Sequence, residues 1–224
     1  MAPLSRGRNH APAPRVLVTA GPTREHVDPV RYLSNESSGR MGFAIAEAAA
    51  KEGHHVTLVA GPVDLPTPRG VRRVDVTSAR EMLAAAREAF RKAHALYMAA
   101  AVADWRPARR LSGKWREKDE RQGRARLDLV RNPDILRTLT GGRRRRGRLV
   151  VAFALETGDG IRRARRKMRE KGADYIVLND PSALGAGRAS VRILGADGSD
   201  RLLARRTKLS VATALVGLLA KLPD

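Results

Sequence analysis

The sequence predicts an α/β fold: a three-layer sandwich on a mostly parallel sheet, closed by an antiparallel hairpin. Three features predict it. Short apolar runs recur at residues 16–20, 55–60, 71–76, 95–101, 149–153 and 175–178, each bounded by glycine, proline or charge. Segments with helical spacing lie between several of them, and strand–helix alternation of this length implies parallel neighbours joined by right-handed crossovers. Finally, Asp197-Gly198 is a hairpin turn signal between the strand-like runs 190–194 and 201–204.

Taken in order, Val16-Leu17-Val18-Thr19-Ala20 reads as a strand buried on both faces, ended by Gly21-Pro22-Thr23. The loop that follows, 21–38, is far longer than the two to six residues usual for a strand-to-helix turn, which marks it as functional. It leads into a small-residue helix from Phe43 to Lys51, closed by Gly53. Ser37, Ser38 and Gly39 sit where the N–H groups of a helix start face outward and favour an anion; from position alone, N-capping is the commoner role for either serine, and the two roles are compatible. Gly39-x-x-Gly42 lacks the first glycine of the dinucleotide fingerprint.

The second strand, 55–60, stops at Gly61-Pro62, and proline makes 61–68 a loop. Ser78-Ala79-Arg80-Glu81 is a capping box opening a helix through about Ala93, with Met82, Leu83, Ala86 and Phe90 on one face. Residues 102–134 are polar with no sustained helical period; a connection this long inside a domain reads as a flap, at about 105–134. A helix over 162–171 stops at Gly172, and a closing helix over 208–221 carries Leu209, Ala212, Leu215, Val216 and Leu219 on one face.

Composition bounds the function. A chain of 224 residues fits one domain, 15–224, after a leader at 1–14 that lacks the apolar core of a signal peptide and reads as disordered. No apolar run reaches the length of a membrane span. The absence of cysteine excludes disulfides, thiolate metal sites and cysteine nucleophiles, and agrees with a cytoplasmic address. The net charge of +21 suits anionic partners, but 4% aromatics are too few for a base-stacking platform, so no specific nucleic acid is expected. The dense run Arg143-Arg144-Arg145-Arg146-Gly147-Arg148 reads as a solvated basic loop.

The wording of the functional loop is more specific than its layout. Val18-Thr19-Ala20-Gly21-Pro22-Thr23-Arg24-Glu25, then Asp28-Pro29-Val30-Arg31-Tyr32-Leu33-Ser34-Asn35, then Ser37-Ser38-Gly39-Arg40-Met41-Gly42 closely resembles the phosphopantothenoylcysteine synthetase family of coenzyme A biosynthesis. The resemblance runs from about Arg15 to the C-terminus and implies a Rossmann-like domain, in bacteria usually joined to a flavin-dependent decarboxylase. Asn35 corresponds to the asparagine that grips the activated carbonyl, although a loop asparagine is more often a turn residue.

Further motifs extend the match. Tyr97-Met98-Ala99-Ala100-Ala101-Val102-Ala103-Asp104-Trp105-Arg106-Pro107 looks like the family's second motif. Its small side chains let a ligand approach the backbone, and Asp104 would hold a ribose hydroxyl or a metal-bound phosphate, or else cap a turn. Lys114-Trp115-Arg116-Glu117 stands in the place of a K-x-K-K motif, with Glu117 reversing the last charge, and the resemblance makes Lys114 the catalytic lysine. Leu129-Val130-Arg131-Asn132-Pro133-Asp134-Ile135-Leu136 closely matches the next segment. Phe153, in a variant of a G-F-A-A-E-T strand, is implied beside the base, with core packing as its anonymous reading. Lys167 and Lys171, one helical turn apart, correspond to the family's pair of lysines near the nucleotide; alone they would be ordinary surface. Asn179-Asp180 matches the start of A-N-D-V-S, with Pro181 replacing valine.

What the resemblance implies is amide formation through an acyl-nucleotide, with Asn35 and Lys114 catalytic. Gly21, Ser37, Ser38, Gly39, Ala101, Asp104, Phe153, Lys167 and Lys171 would bind the nucleotide, and Arg31, Asn35 and Asn132 the substrate. CTP is the implied cosubstrate, with ATP as the eukaryotic choice, accompanied by Mg²⁺ through ligands the sequence leaves unknown, and no flavin on this chain. The implied partners are 4′-phosphopantothenate, cysteine, a second copy of the chain and a decarboxylase, with no membrane. Two other classes compete: a silent nucleotide-binding homologue, betrayed by CTP binding without product, and a basic nucleic-acid module, betrayed by salt-sensitive binding to random duplex.

Overall fold

The computed structural model describes residues 13–116, 126–144, 147–155, 159–179 and 188–222. The expected leader lies, up to residue 12, outside them. In chain order the first elements are β1 (Arg15–Ala20), the short strands β2 (Arg24–His26) and β3 (Tyr32–Ser34), α1 (Arg40–Lys51), β4 (His55–Ala60), β5 (Val71–Asp75), α2 (Ala79–Phe90) and β6 (Ala95–Met98). Then come β7 (Trp105–Pro107), β8 (Leu129–Arg131), α3 (Ile135–Thr140), β9 (Leu149–Leu155), α4 (Gly160–Glu170) and β10 (Tyr175–Asn179). The chain closes with β11 (Arg188–Gly195), β12 (Asp200–Thr207), α5 (Lys208–Val216) and a 3-10 turn at Gly217–Lys221.

The main sheet has the order β12-β11-β10-β9-β6-β1-β4-β5. Every pairing from β10 to β5 is parallel, while β11 and β12 join antiparallel around Gly198, whose φ of 86° the turn requires. From β1 the chain builds outward through β4 to β5, then crosses back to lay β6 on the other side of β1. That reversal opens a crevice at the C-terminal ends of β1 and β6, where an α/β sheet of this kind binds its ligand.

The unbroken apolar sequence of β1 follows from burial on both faces. Val16, Val18 and Ala20 pack under α1 and α5, and Leu17 faces the opposite core with α2, α3 and α4. Tyr97 on β6 is wholly buried and donates its hydroxyl to the Leu215 carbonyl of α5 at 2.9 Å; burial, with the Glu52 charge adding to it, pushes this phenol above its ordinary pKa. Tyr97→Phe removes a buried hydrogen bond to a carbonyl that also accepts from the Gly217 N–H, so chemical denaturation should show a loss of about 0.5–1.5 kcal/mol.

Several expected boundaries shift. The fourth strand ends at Met98, and Ala101 survives only as an isolated bridge to Pro22. The functional loop holds the β2–β3 hairpin, and β7 pairs with β8 across the base of the flap. A six-residue helix, α3, follows under an Asp134 N-cap. The capping box of α2 forms with an offset: Ser78 Oγ accepts from the Glu81 N–H, while Glu81 reaches one residue further back, to the Thr77 N–H at 2.8 Å.

The arginine run is not simply solvated. Arg144 pairs with the mostly buried Asp174 at 2.6 Å, and Arg148 donates to the Phe90 and Arg91 carbonyls at the C-terminus of α2, where a cation opposes the helix dipole. Arg145 and Arg146 lie outside the described residues. No described helix is long and apolar enough to cross a membrane.

Candidate active site

The ends of β1 and β6 are stitched together by main-chain contacts. Ala101 donates its N–H to the Gly21 carbonyl at 2.9 Å and accepts from the Thr23 N–H at 3.3 Å. Thr23 is fully buried, and its Oγ1 accepts from the Ala103 N–H at 3.0 Å. Asn35 joins the same seam, donating Nδ2 to the Ala101 carbonyl at 3.0 Å. Gly21 and Gly39 meet here with φ of 77° and 73°; a Cβ on Gly39 would lie 3.3 Å from the Gly21 Cα. Asn35, Gly21, Gly39 and Ala101, far apart in sequence, are therefore neighbours.

The helix start departs from expectation. Gly39 itself is the N-cap of α1 in the left-handed conformation, and no side chain caps the helix. Ser37 instead accepts from the Gly39 N–H at 3.3 Å, and Ser38 is exposed. The first-turn N–H groups consequently keep their outward dipole without a side-chain acceptor.

On the other side of the 99–104 segment lies a cleft of about 360 Å³. Asp104, Asn132, Phe153, Lys167 and Lys171 all line it, brought together from the ends of β6, β8 and β9 and from α4. Asn132 is fixed by donating Nδ2 to the Ala103 carbonyl at 2.8 Å and its own N–H to the Asp104 carbonyl at 2.8 Å. Lys171 pairs with Asp134 at 3.1 Å, and Asp134 also caps α3 by accepting from the Arg137 N–H. Phe153 is half-buried, with one part in the core and the rest in the cleft.

Lys114 stands apart. It is exposed and does not line the cleft; its segment is docked on the β2–β3 hairpin through the Leu111 N–H, which donates to the Val27 carbonyl at 2.8 Å. Arg31 is turned towards Asp28 and the Trp115 carbonyl. Asp28 is wholly buried: burial alone would push its carboxyl up, but hydrogen bonds from the Trp115, Val30 and Arg31 backbones and from the Arg31 guanidinium outweigh that and hold it well below the usual carboxylate range. Glu117, Asp180 and Pro181 lie outside the described residues.

Sequence reasoning missed four polar anchors. Asp28 and Asp134 carried local signals, an Asp-Pro turn and an N-cap position. Thr23 and Glu25 had none, since their partners are remote; the buried Glu25 accepts from the Ala79 N–H at the start of α2 at 2.9 Å. Among the described residues no group of three or more His, Cys, Asp or Glu could hold a metal. The cleft offers two exposed carboxylates, Asp104 and the Lys171-paired Asp134, so a hard cation held there would have to bring most of its own oxygens.

A parallel sheet with its strand order reversed beside an uncapped helix start, and a polar cleft at the same strand ends, defines a Rossmann-like α/β protein. The chain belongs to the family described as DNA/pantothenate metabolism flavoprotein C-terminal domain, whose model matches residues 12–222. It is 48% identical over 178 residues to the coenzyme A biosynthesis bifunctional protein CoaBC of Vibrio cholerae, covering 77% of this chain and 43% of that protein. This chain thus spans less than half the length of that relative. The crystal structure of the C-terminal domain of a CoaBC superposes with a TM-score of 0.78 at 37% identity, covering 93% of this chain and 94% of that one. A Cab2 variant solved in complex with phosphopantothenate-cysteine shares the fold at a TM-score of 0.74 and 15% identity, over 93% of this chain and 85% of that one.

Proposed function

We propose that this chain is a ligase that joins 4′-phosphopantothenate to L-cysteine in coenzyme A biosynthesis, through an acyl-cytidylate. The observation that carries the reading is the convergence of Asp104, Asn132, Phe153, Lys167 and Lys171 on one cleft, separated only by the 99–104 segment from the Asn35–Ala101 seam. Similarity to CoaBC proteins and the ligand of the Cab2 variant point to the same substrates.

In the first step a carboxylate oxygen of 4′-phosphopantothenate attacks the α-phosphorus of CTP; the bond to pyrophosphate breaks and pyrophosphate leaves. In the second, the amine of cysteine attacks the acyl carbon, the bond to CMP oxygen breaks, and the amine gives up a proton to water. One N–H of Asn35 is spent on Ala101 and holds the amide in place, leaving its second for the acyl oxygen as charge develops. Lys114 meets the acyl-phosphate, and the start of α1 from Ser37 to Gly39, with Gly21 and Ala101, lets phosphate approach the backbone. Lys167 and Lys171 face the nucleotide, Asp104 its ribose or metal-bound phosphate, Phe153 its base, and Asn132 and Arg31 the substrate side. Mg²⁺ would neutralise the triphosphate.

A cytoplasmic homodimer fits, with Val30, Tyr32, Trp105, Leu129 and Val130 exposed on the two small hairpin sheets. A flavin-dependent decarboxylase is the natural companion, since its product would be the substrate of decarboxylation. The test is mass spectrometry of a reaction holding 4′-phosphopantothenate, cysteine and Mg²⁺, run with CTP and in parallel with ATP. Phosphopantothenoylcysteine with stoichiometric CMP is expected; AMP instead would reassign the nucleotide, and absence of product from folded protein that binds CTP would overturn the ligase.

A further inference from the structure

We propose that Asp28, clasped with Arg31, is a positioning residue that seats the flap and sets the starting place of Lys114; this rests on the ligase reading above. Asp28 Oδ1 accepts from the Val30 and Arg31 N–H groups, each at 2.8 Å, and Oδ2 accepts from Arg31 Nε at 2.8 Å. Those contacts alone would tie a local turn. The fourth reaches much further: Oδ2 also accepts, at 3.0 Å, from the N–H of Trp115, which lies 87 residues away. Arg31 closes the clasp by donating Nη2 to the Trp115 carbonyl, and its guanidinium lies 5.8 Å from the centroid of the Trp115 ring.

Both main-chain groups of Trp115 are therefore held by one ion pair, and Trp115 is the residue after Lys114. The Leu111 N–H to Val27 carbonyl bond fixes the segment three residues before Lys114, so the lysine backbone is bracketed while its side chain stays exposed. A flexible stem on an anchored backbone lets the ammonium find its anion from a defined place, which is the positioning that an acyl-transfer step rewards. Asp28 lines neither the cleft nor the Asn35 seam. Its wholly buried charge is accounted for by the clasp, because a carboxylate removed from water must be matched by donors.

The test is a double-mutant cycle on kcat and KM. Asp28→Asn keeps the side-chain shape but replaces one acceptor oxygen with an NH₂ group. It should lower kcat by about tenfold or more while each substrate KM stays within about threefold. Lys114→Gln alone should cost about 100-fold or more. In the Lys114→Gln background, Asp28→Asn should add less than about threefold, because a seat with no lysine to place has nothing to lose. Losses that multiply, or a raised KM with unchanged kcat, would overturn the proposal.

Trp115→Pro, which deletes the N–H that Asp28 Oδ2 accepts and leaves Arg31 in place, should give the same pattern if Asp28→Asn does not fold. Hydrogen exchange separates this proposal from the ligase itself. If wild-type protein yields no product, the Trp115 amide should still exchange about tenfold faster in Asp28→Asn than in wild type, with the Val150 amide of the core unchanged. Equal exchange at Trp115 refutes the seat.

Discussion

Asn35→Asp is expected to lower product formation by about 100- to 1000-fold at saturating substrates, the range seen when an oxyanion donor is removed. Three effects add in one direction. The carboxylate has no N–H to give the Ala101 carbonyl, now held at 3.0 Å, so the side chain loses the contact that fixes it. It has no donor for the acyl oxygen either, and its charge repels both that oxygen and the phosphates beside it. Because Asn35 is exposed, stability should change by less than about 1 kcal/mol, and thermal melting alongside the rate assay separates lost chemistry from lost fold. A wild-type rate from folded Asn35→Asp would refute the role given to the amide.

The central strands were legible because the physics that forms them is local. A strand buried on both faces has no polar face to interrupt it, so β1 and β4 read as continuous apolar runs, and Gly198 announces the β11–β12 turn through the conformation it permits. The strands β2, β3, β7 and β8 are three residues each, too short for alternation to register, and they exist because remote groups hold them. Glu25 on the start of α2 and the Asn132 N–H on the Asp104 carbonyl are such ties. Helix α3 is below the length at which a helical period shows, and its local signs are only its ends, the Asp134 N-cap and the left-handed Gly141.

The site divides the same way. Residues of the cleft fall within recognisable wording, so Asp104, Phe153, Lys167 and Lys171 stand out in the sequence, and the fold joins them in one cleft. The dock of the flap on the hairpin was invisible, since nothing local links Trp115 to Asp28 across 87 residues. Arg148 shows the opposite error: in a run of like charges it reads as solvated, yet the C-terminus of α2, 57 and 58 residues earlier in the chain, gives it acceptors. Charge runs tell what is available for pairing, and only the fold tells what is paired.

Gly61→Ala should be among the most damaging single substitutions for the fold, with a loss of about 3–5 kcal/mol, at the far end of what point mutants show. A Cβ at Gly61 would lie 1.7 Å from the Pro22 carbonyl oxygen and 2.8 Å from its carbon. The obstacle is main chain, which cannot rotate away as a side chain would. Nor is the barrier one of φ, since Gly61 lies outside the positive-φ positions. Relief requires moving the 21–23 segment, and that segment carries the Pro22–Ala101 bridge and the Gly21 and Thr23 bonds to Ala101. Gly217→Ala is the matched control: nothing lies within 4 Å of its added methyl and its φ is not positive, so it should melt within about 0.5 kcal/mol of wild type. At the roughly 2–4 °C per kcal/mol typical of this size, Gly61→Ala should melt about 6–20 °C lower. Equal melting of the two variants would refute the close approach of the loops after β1 and β4. A Gly61→Ala protein that stayed folded should still lose turnover, because the seam that holds Asn35 at the end of β6 would have moved with Pro22.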